Sequence, residues 1–246
     1  MTNKYMYFVA NWKMFGNLKS INTLDKVIKF SKSKEIKKGR LIYCPPYTLI
    51  TSFFKKFENC LIDIGGQNCH ESEDYGAHTG FVNSRMLKSI GANYVILGHS
   101  ENRKKGETDK LINLKIKSAI KSKLKVIFCI GETLKEKKRG KTRSTLSKQI
   151  RLGLNKIKKS SNIFIAYEPV WSIGTGKIPK IKELEQTVKF ITTKFKGKLP
   201  KILYGGSVNP QNVSDLKKIN SLDGFLIGGA SQNPKKFIDI VKKTFN

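Results

Sequence analysis

One carboxylate, Glu168, stands between a short apolar run and a proline, where it could act as a base. It belongs to the segment Ala-Tyr-Glu-Pro-Val-Trp-Ser-Ile-Gly-Thr-Gly-Lys, residues 166–177. The run from Ile163 to Tyr167 predicts a buried strand that Pro169 ends. Because a residue before proline is restricted to an extended backbone, we expect Glu168 to be held on a rigid support.

The residues after Pro169 predict a loop that can close over an anion. Gly174 and Gly176 lie there among hydroxyl side chains and a lysine. Glycine-containing backbone of this kind can turn several N–H groups toward an anion. The functional interpretation is a base followed by a lid, and the structural alternative is an ordinary strand-to-helix loop.

Further residues suited to chemistry follow other apolar runs. Asn11 and Lys13 follow the first run, and His99 and Glu101 follow the fourth. With Glu168 as base, a histidine that polarises a carbonyl and a lysine cation form a set that can remove a proton next to a carbonyl. Lys13 could instead form a Schiff base, as in an aldolase, but its place two residues after Asn11 favours charge stabilisation.

Glycine pairs follow the last two apolar runs, at Gly205-Gly206 and at Gly228-Gly229. Glycine allows backbone N–H groups to approach a ligand closely, and the last two loops of a barrel often hold a phosphate. One glycine pair after a strand is usually only a turn. Two pairs in consecutive units, together with a glycine-containing lid, favour a phosphate site.

Eight apolar runs of strand type define the elements that would position these side chains. They are Tyr5 to Ala10, Leu41 to Cys44, Leu61 to Ile64, Tyr94 to Leu97, Lys125 to Ile130, Ile163 to Tyr167, Lys201 to Tyr204 and Gly224 to Ile227. Between them, apolar residues recur at helical spacing, for example at Leu111, Leu114 and Ile120, and at Ile181, Leu184, Val188 and Ile191. Alternating strands and helices imply right-handed crossovers and a parallel sheet.

Eight such units predict an α/β fold: a single (β/α)8 TIM barrel over residues 1–246, with eight parallel strands surrounded by helices. A length of 246 residues is normal for one barrel domain. A doubly wound open sheet is the alternative, but Asn11-Trp12-Lys13-Met14 follows the first run in place of a dinucleotide-binding glycine motif. Because the loops after barrel strands form the active site, the residues above are expected to converge.

Cysteine usage and hydropathy favour a cytoplasmic protein. Cys44, Cys60, Cys69 and Cys129 show no C-x-x-C spacing, so free thiols are expected and disulfides or a metal site are not. No stretch approaches the roughly 18 apolar residues of a membrane span, so we expect no membrane association.

A formal net charge of +30 raises the question of nucleic-acid binding. The lysines are spread along the chain, and basic runs such as 32–40 and 135–143 lie between apolar segments. A solvated lysine-rich surface is the better interpretation, and no specific nucleic-acid partner is expected. A positive surface still raises encounter rates with small anions.

Six motifs resemble one family in order and spacing across essentially the whole chain. They are Asn11-Trp12-Lys13-Met14, Gly98-His99-Ser100-Glu101, Cys129-Ile130-Gly131-Glu132-Thr133, Ala166 to Lys177, Tyr204-Gly205-Gly206-Ser207-Val208 and Gly228-Gly229-Ala230-Ser231. The family that they resemble is triosephosphate isomerase. The resemblance implies a glycolytic and gluconeogenic aldose–ketose isomerase that interconverts dihydroxyacetone phosphate and D-glyceraldehyde 3-phosphate through an enediolate, with no cofactor or metal. The alternative is another phosphate-binding barrel enzyme, such as a Schiff-base aldolase.

The resemblance also implies a role for each catalytic residue. Glu168 would move the proton between C1 and C2, and His99 would donate hydrogen bonds to the enediolate oxygens. Lys13, with Asn11 beside it, would bind substrate and stabilise negative charge. Glu101 would support the rim around Lys13 and His99.

A phosphate site and a lid complete the implied arrangement. The phosphate would be bound by backbone N–H groups of Gly174, Ser207, Gly228 and Gly229. The lid would comprise Pro169, Val170, Trp171, Ser172, Ile173, Gly174, Thr175, Gly176, Lys177 and Ile178. A lid that excludes water would protect the enediolate from losing its phosphate, and desolvation would strengthen the base.

The chain departs from the family pattern at two positions that in the family can pair across a dimer interface. Phe81 stands where Glu is common, and Asn102 stands where Arg is common. We expect a homodimer in which the loop Gln67 to Gly80 inserts into the partner, with Thr79 near the partner's active site and Phe81 packed against the partner. Smaller departures are Ser172 for the more usual Ala, Ile178-Pro179 at the second hinge, and Gln232.

Overall fold

The computed structural model describes residues 4–36, 38–157 and 162–245. Eight parallel strands form a closed barrel in which each strand pairs with the next and the first pairs with the eighth. They are β1 (Met6–Asn11), β2 (Gly39–Cys44), β3 (Ile62–Gly66), β4 (Tyr94–Leu97), β5 (Lys125–Ile130), β6 (Ile163–Tyr167), β7 (Lys201–Tyr204) and β8 (Gly224–Ile227). The predicted TIM barrel is therefore confirmed.

Helices connect the strands. In the described part of the chain the α-helices are α1 (Asp25–Ser31), α2 (Ile50–Lys56), α3 (Ser84–Ser89), α4 (Ser100–Lys104), α5 (Asp109–Lys121), α6 (Leu134–Lys138), α7 (Thr142–Gly153), α8 (Ile181–Thr192), α9 (Val213–Leu216) and α10 (Pro234–Phe245). None of these helices is both long enough and apolar enough to cross a membrane. The single domain over 1–246 remains a prediction, because residues 1–3, 37, 158–161 and 246 lie outside the described ranges.

The predicted bounds of β4 to β8 match the structure, and those of β1 to β3 do not. β1 ends on Asn11 because that residue still pairs with Cys44 of β2. β3 continues through Gly65 and Gly66, which pair with Tyr94 and Val95. Backbone pairing therefore extends these strands beyond the apolar runs from which they were predicted.

The strands are buried on both faces, which explains their nearly continuous apolar sequences. Within β6, Ala166 belongs to the side-chain cluster inside the barrel, and Tyr167 belongs to the cluster between the strands and the helices. Because side chains alternate along a strand, the next residue, Glu168, is directed toward the barrel interior. The strand thus aims the carboxylate at the mouth of the barrel.

The apolar faces predicted for two helices agree with the structure in α8 and disagree with it in α5. In α8, Leu184, Val188 and Ile191 are buried as predicted. In α5 the predicted face was wrong: Leu114 is 43% exposed, and the buried apolar face contains Ile112, Ile116 and Ala119. Leu114 lies three residues after Leu111, as a helical face requires, but it points to solvent. The helix packs instead through the neighbouring face that contains Ile112, Ile116 and Ala119. All four cysteines are free, as predicted.

Candidate active site

The predicted catalytic residues converge at the carboxyl ends of the strands. A cavity of about 260 Å³ is lined by Asn11, Lys13, His99 and Glu168, together with residues of the lid and of the loops after β7 and β8. Glu101 lines a neighbouring cavity that shares Asn11, Lys13 and His99 with the first. The ends of five strands, β1, β4, β6, β7 and β8, therefore supply one site.

Glu168 is fixed closely by its surroundings. Its N–H donates to the Ile130 carbonyl oxygen at 2.8 Å, and the residue is only 2% exposed. Gly131 lies against the Glu168 carbonyl group, where any Cβ would overlap it. A Cβ on Gly205 would lie 2.7 Å from Cγ of Glu168, so the close approach requires glycine there as well.

Burial raises the pKa of the Glu168 carboxyl above its ordinary value. The positive charge of Lys13 and the N–H of Ser100 oppose this shift without cancelling it. A carboxylate that is poorly solvated binds a proton more strongly, so Glu168 is a stronger base than a carboxylate in water.

His99 is the N-cap residue of α4, and its side chain faces two ways. Nδ1 accepts a hydrogen bond from the Glu101 N–H at 3.2 Å, while Nε2 lies 3.4 Å from Oε1 of Glu168. A nitrogen that accepts a backbone N–H carries no proton, so the ring hydrogen is on Nε2. The imidazole is therefore neutral, and its one N–H points into the cavity.

Lys13 follows β1 in an unusual backbone conformation. Its φ is +57°, a region that non-glycine residues seldom adopt. Its N–H donates to Oδ1 of Asn11 at 3.1 Å, and its carbonyl oxygen accepts from Nε2 of Gln67 at 2.8 Å. These bonds hold the strained turn and direct the ammonium group across the cavity mouth.

The Lys13 ammonium pairs with Oε1 of Glu101 at 2.6 Å. Partial burial by itself would raise the pKa of Glu101, but the hydrogen bond from Lys13 and the positive charge of Lys13 outweigh it, and the pKa is lowered. Glu101 therefore stays ionised over a wide pH range and holds Lys13 in place.

The predicted phosphate residues lie together on the other side of the cavity. Gly174, Ser207, Gly228 and Gly229 all line it. A Cβ on Gly174 or Gly229 would meet nothing within 4 Å, so both positions border open space. The N–H of Ser207 is directed instead to Oγ of Ser172, at 3.3 Å. Among the described residues, no three His, Cys, Asp or Glu side chains are grouped so that they could hold a metal ion.

Comparison with known proteins agrees with this geometry. The family model of triosephosphate isomerase matches residues 6–244. The triosephosphate isomerase of Thermodesulfovibrio yellowstonii is 42% identical over 245 residues, which cover 96% of this chain and 98% of that protein. That of Dictyoglomus thermophilum is 41% identical and covers 95% and 97%. The crystal structure of triosephosphate isomerase from Bartonella henselae superimposes with a TM-score of 0.87 at 34% identity, covering 96% of this chain and 97% of that one.

The chain belongs to the triosephosphate isomerase family. It is an aldose–ketose isomerase that interconverts dihydroxyacetone phosphate and D-glyceraldehyde 3-phosphate. The predicted family, fold and reaction are confirmed, whereas the roles of single residues stay predictions.

Two residues that contact the lid or Lys13 were not assigned a role from the sequence. Glu132, after β5, accepts hydrogen bonds from Trp171 Nε1 at 3.0 Å and from the Tyr167 hydroxyl at 3.1 Å. Burial raises its pKa despite these donors. Gln67 donates to the carbonyl oxygens of Lys13 and Cys44. The position of Glu132 directly after a strand could have marked it as a candidate site residue, but its contact with the lid could not be predicted from the sequence.

The loop Gln67 to Gly80 projects from the barrel. Its residues from Asp74 to Gly80 are exposed in the single chain, Thr79 included. The His70 and His78 rings lie 4.2 Å apart, and Phe81 packs edge-on against His70 with ring centroids 5.0 Å apart. Phe81 remains 63% exposed, so most of its ring has no cover within one chain.

Proposed function

We propose that Glu168 is the base that carries the proton in the triose phosphate isomerisation. The observation that carries this proposal is a buried carboxylate on the cavity wall, facing the N–H of a neutral histidine. The carboxylate takes the proton from C1 of the ketose, the C–H electrons form the C1–C2 double bond, and the carbonyl π electrons move to oxygen. A proton then moves from the C1 hydroxyl to the C2 oxygen, the same carboxyl returns its proton to C2, and the C1 carbonyl forms as the C1–C2 π electrons bind that proton.

His99 stabilises the oxygen on which the negative charge develops. A neutral imidazole donates through Nε2, which is 3.4 Å from the base and so borders the same reacting atoms. Charge that appears only in the transition state is stabilised best by a donor already in position. The backbone N–H of Glu101, which holds Nδ1, keeps the ring oriented.

Lys13 and Asn11 bind the substrate and offset its negative charge. The salt bridge to Glu101 supports an ammonium form for Lys13, which has no lone pair with which to attack a carbonyl. This argues for charge stabilisation and against a Schiff base. Asn11 fixes the turn at Lys13 through its side-chain oxygen.

The phosphate is bound by backbone N–H groups of Gly174, Gly228 and Gly229, and by that of Ser207 once it exchanges its bond to Oγ of Ser172 for a phosphate oxygen; residues 169–178 act as the lid. Open space at Gly174 and Gly229 supports this assignment. The lid touches the loop after β7, where the Gly176 N–H donates to Oγ of Ser207 at 3.1 Å. A lid in that place excludes water from the enediolate.

The active form is a homodimer in which the loop Gln67 to Gly80 inserts into the partner. Exposed apolar side chains at Tyr75 and Phe81, which line one cavity, and at Met14 support this proposal, because a partner subunit would cover them. The cavity beside Lys13 that also contains Tyr47 and Asn102 offers room for the partner's loop tip, with Thr79 near the active site.

The test is a coupled assay of glyceraldehyde 3-phosphate conversion without added metal or nucleotide, comparing wild type with Glu168→Gln and Glu168→Asp. Glu185→Gln is the control, since Glu185 forms only an exposed helix pair with Lys189. Gln should nearly abolish turnover, and Asp should lower kcat far more than it raises KM, because it mainly moves the base. Small and equal effects on both parameters would remove Glu168 from its role.

A further inference from the structure

The hydroxyl of Ser172 is a buried polar group of the lid to which the mechanism above gives no part. The residue ends the short 3-10 turn Val170–Ser172 and is 0% exposed. Its Oγ lies 3.1 Å from the Tyr204 hydroxyl oxygen and accepts from the Ser207 N–H at 3.3 Å. Its carbonyl oxygen accepts from Oγ of Ser207 at 2.7 Å.

These contacts account for most of the polar attachment between the lid and the end of β7. In the described part of the chain, the one further lid bond to this segment is that from Gly176 N–H to Oγ of Ser207. Ser207 is thus held from both sides by the lid, through Ser172 and through Gly176.

We propose that the Ser172 side chain is a positioning group for the isomerisation: its hydroxyl, held by Tyr204, fixes the lid against the end of β7 and so sets Ser207 and Gly176 beside the phosphate. This inference rests on the proposed roles of the lid and of Ser207. According to this proposal, Oγ of Ser172 links the lid to the loop after β7, and both of these segments face the substrate.

The surroundings are built around this pair of hydroxyls. A Cβ on Gly206 would overlap both the Tyr204 hydroxyl and Oγ of Ser172, so glycine leaves the space in which they meet. Burial raises the pKa of Tyr204 to about 12, and the phenol therefore keeps its hydrogen at neutral pH. Because both residues are fully buried, the two hydroxyls depend on each other for hydrogen bonding.

The second hinge of the lid increases the importance of Ser172. Pro179 is buried and has no N–H, so this position cannot add a backbone donor. The first half of the lid is attached instead through the Trp171 indole, which donates to Glu132, and through the Ser172 hydroxyl.

A lid that is less firmly attached changes the fate of the intermediate. When the enediolate is exposed, the bond between C3 and the phosphate oxygen breaks, and phosphate leaves with the bonding electron pair. The enol that remains takes up a proton at C3 and releases its hydroxyl proton, which gives methylglyoxal. The share of turnovers that end in methylglyoxal therefore reports on lid position, whereas a purely structural residue would not alter it.

The experiment compares Ser172→Ala, Tyr204→Phe and the double variant with wild type. Each is measured for kcat, KM, methylglyoxal formed per isomerisation, and thermal unfolding. Ser118→Ala is the matched control, because Ser118 is also a buried serine bonded to a hydroxyl, that of Ser84, far from the site. It should leave kinetics and methylglyoxal unchanged.

We expect each single variant to lower kcat/KM roughly threefold to tenfold, the effect of losing about one neutral hydrogen bond, and to raise the methylglyoxal share several-fold. The double variant should be no worse than the poorer single variant, because both remove the same contact. Additive losses, or a Ser172→Ala protein with unchanged methylglyoxal share, would overturn the proposal. An active Glu168→Gln protein would instead overturn the proposed base.

Discussion

Nε2 of His99 and Oε1 of Glu168 lie 3.4 Å apart at the wall of one cavity, although 69 positions separate them in the chain. The first carries a hydrogen and the second carries a negative charge, so a proton donor and a proton acceptor face the same point. A substrate carbonyl and its neighbouring carbon fit that arrangement, because isomerisation needs a donor at oxygen and a base at carbon.

The glycine at 205 should be indispensable for the position of the base. A Cβ there would lie 2.7 Å from Cγ of Glu168, so Gly205→Ala must push the carboxylate away. We expect kcat to fall roughly 10- to 100-fold with little change in KM, since a shift of about 1 Å can cost a factor of about 100. Gly229→Ala, which borders open space at the phosphate site, should chiefly raise KM. Steady-state kinetics of both variants make the comparison, and equal effects would refute the distinction.

As the pH is lowered, the enzyme should lose activity at a pH above the ordinary pKa of a glutamate side chain. Burial raises the pKa of Glu168, and the base works only when ionised, so kcat/KM is full above that raised pKa and falls as the pH drops through it. Glu101, whose pKa is lowered, titrates below this range. The check is kcat/KM against pH, because kcat/KM reports the pKa of the substrate-free enzyme. A midpoint at or below about 4.3, the ordinary glutamate value, would contradict it.

The same shift has a consequence for stability. Because the folded protein binds this proton more tightly than the unfolded chain does, ionisation of Glu168 destabilises the fold. Its favourable contribution is complete below the unfolded pKa and is lost as pH rises through the folded pKa. In Glu168→Gln this pH dependence should be missing from the free energy of unfolding.

The net charge of +30 should accelerate substrate capture. A positive surface attracts anionic triose phosphates over distances that salt screens, so kcat/KM should fall as sodium chloride is added while kcat stays nearly flat. The effect must exceed the competition by chloride that inhibition kinetics measure separately. If kcat/KM is insensitive to salt, the lysine surplus plays no part in capture.

A charge introduced at Phe81, directly after the projecting loop, should separate the subunits. Phe81→Asp places a carboxylate on a side chain that is 63% exposed in the single chain and that we propose to be covered by the partner. We expect sedimentation to show monomers with strongly reduced activity. Leu199→Asp is the control, because Leu199 is also an exposed apolar residue but lies far along the chain from that loop; it should leave the oligomeric state unchanged. A fully active wild-type monomer at assay concentration would contradict the dimer.

The barrel could be predicted from local sequence, because strands that are buried on both faces have nearly continuous apolar sequences. The ends of β1 and β3 could not, since pairing with Cys44 and with Tyr94 extends them over polar residues and glycines. The exposed position of Leu114 was missed because its spacing fits a helix face but does not say which face packs.

Within the site, residues that follow strands were found from the sequence, and contacts between distant segments were not. Glu168 and His99 stand out because each comes directly after an apolar run. The bonds from Gln67 to the Lys13 carbonyl and from Trp171 to Glu132 join segments far apart in the chain. Such pairs become visible only when the barrel brings the loops together.

The proton transfer itself gives the most direct test of Glu168 as the base. Dihydroxyacetone phosphate is incubated with enzyme in D2O, and NMR follows deuterium at C1 of the ketose and at C2 of the aldose. Wild type should place deuterium at both carbons, because the carboxyl exchanges its proton with solvent between the two transfers. Glu168→Gln should place almost none while remaining folded. Deuterium incorporation by that variant at the wild-type rate would show that another group carries the proton.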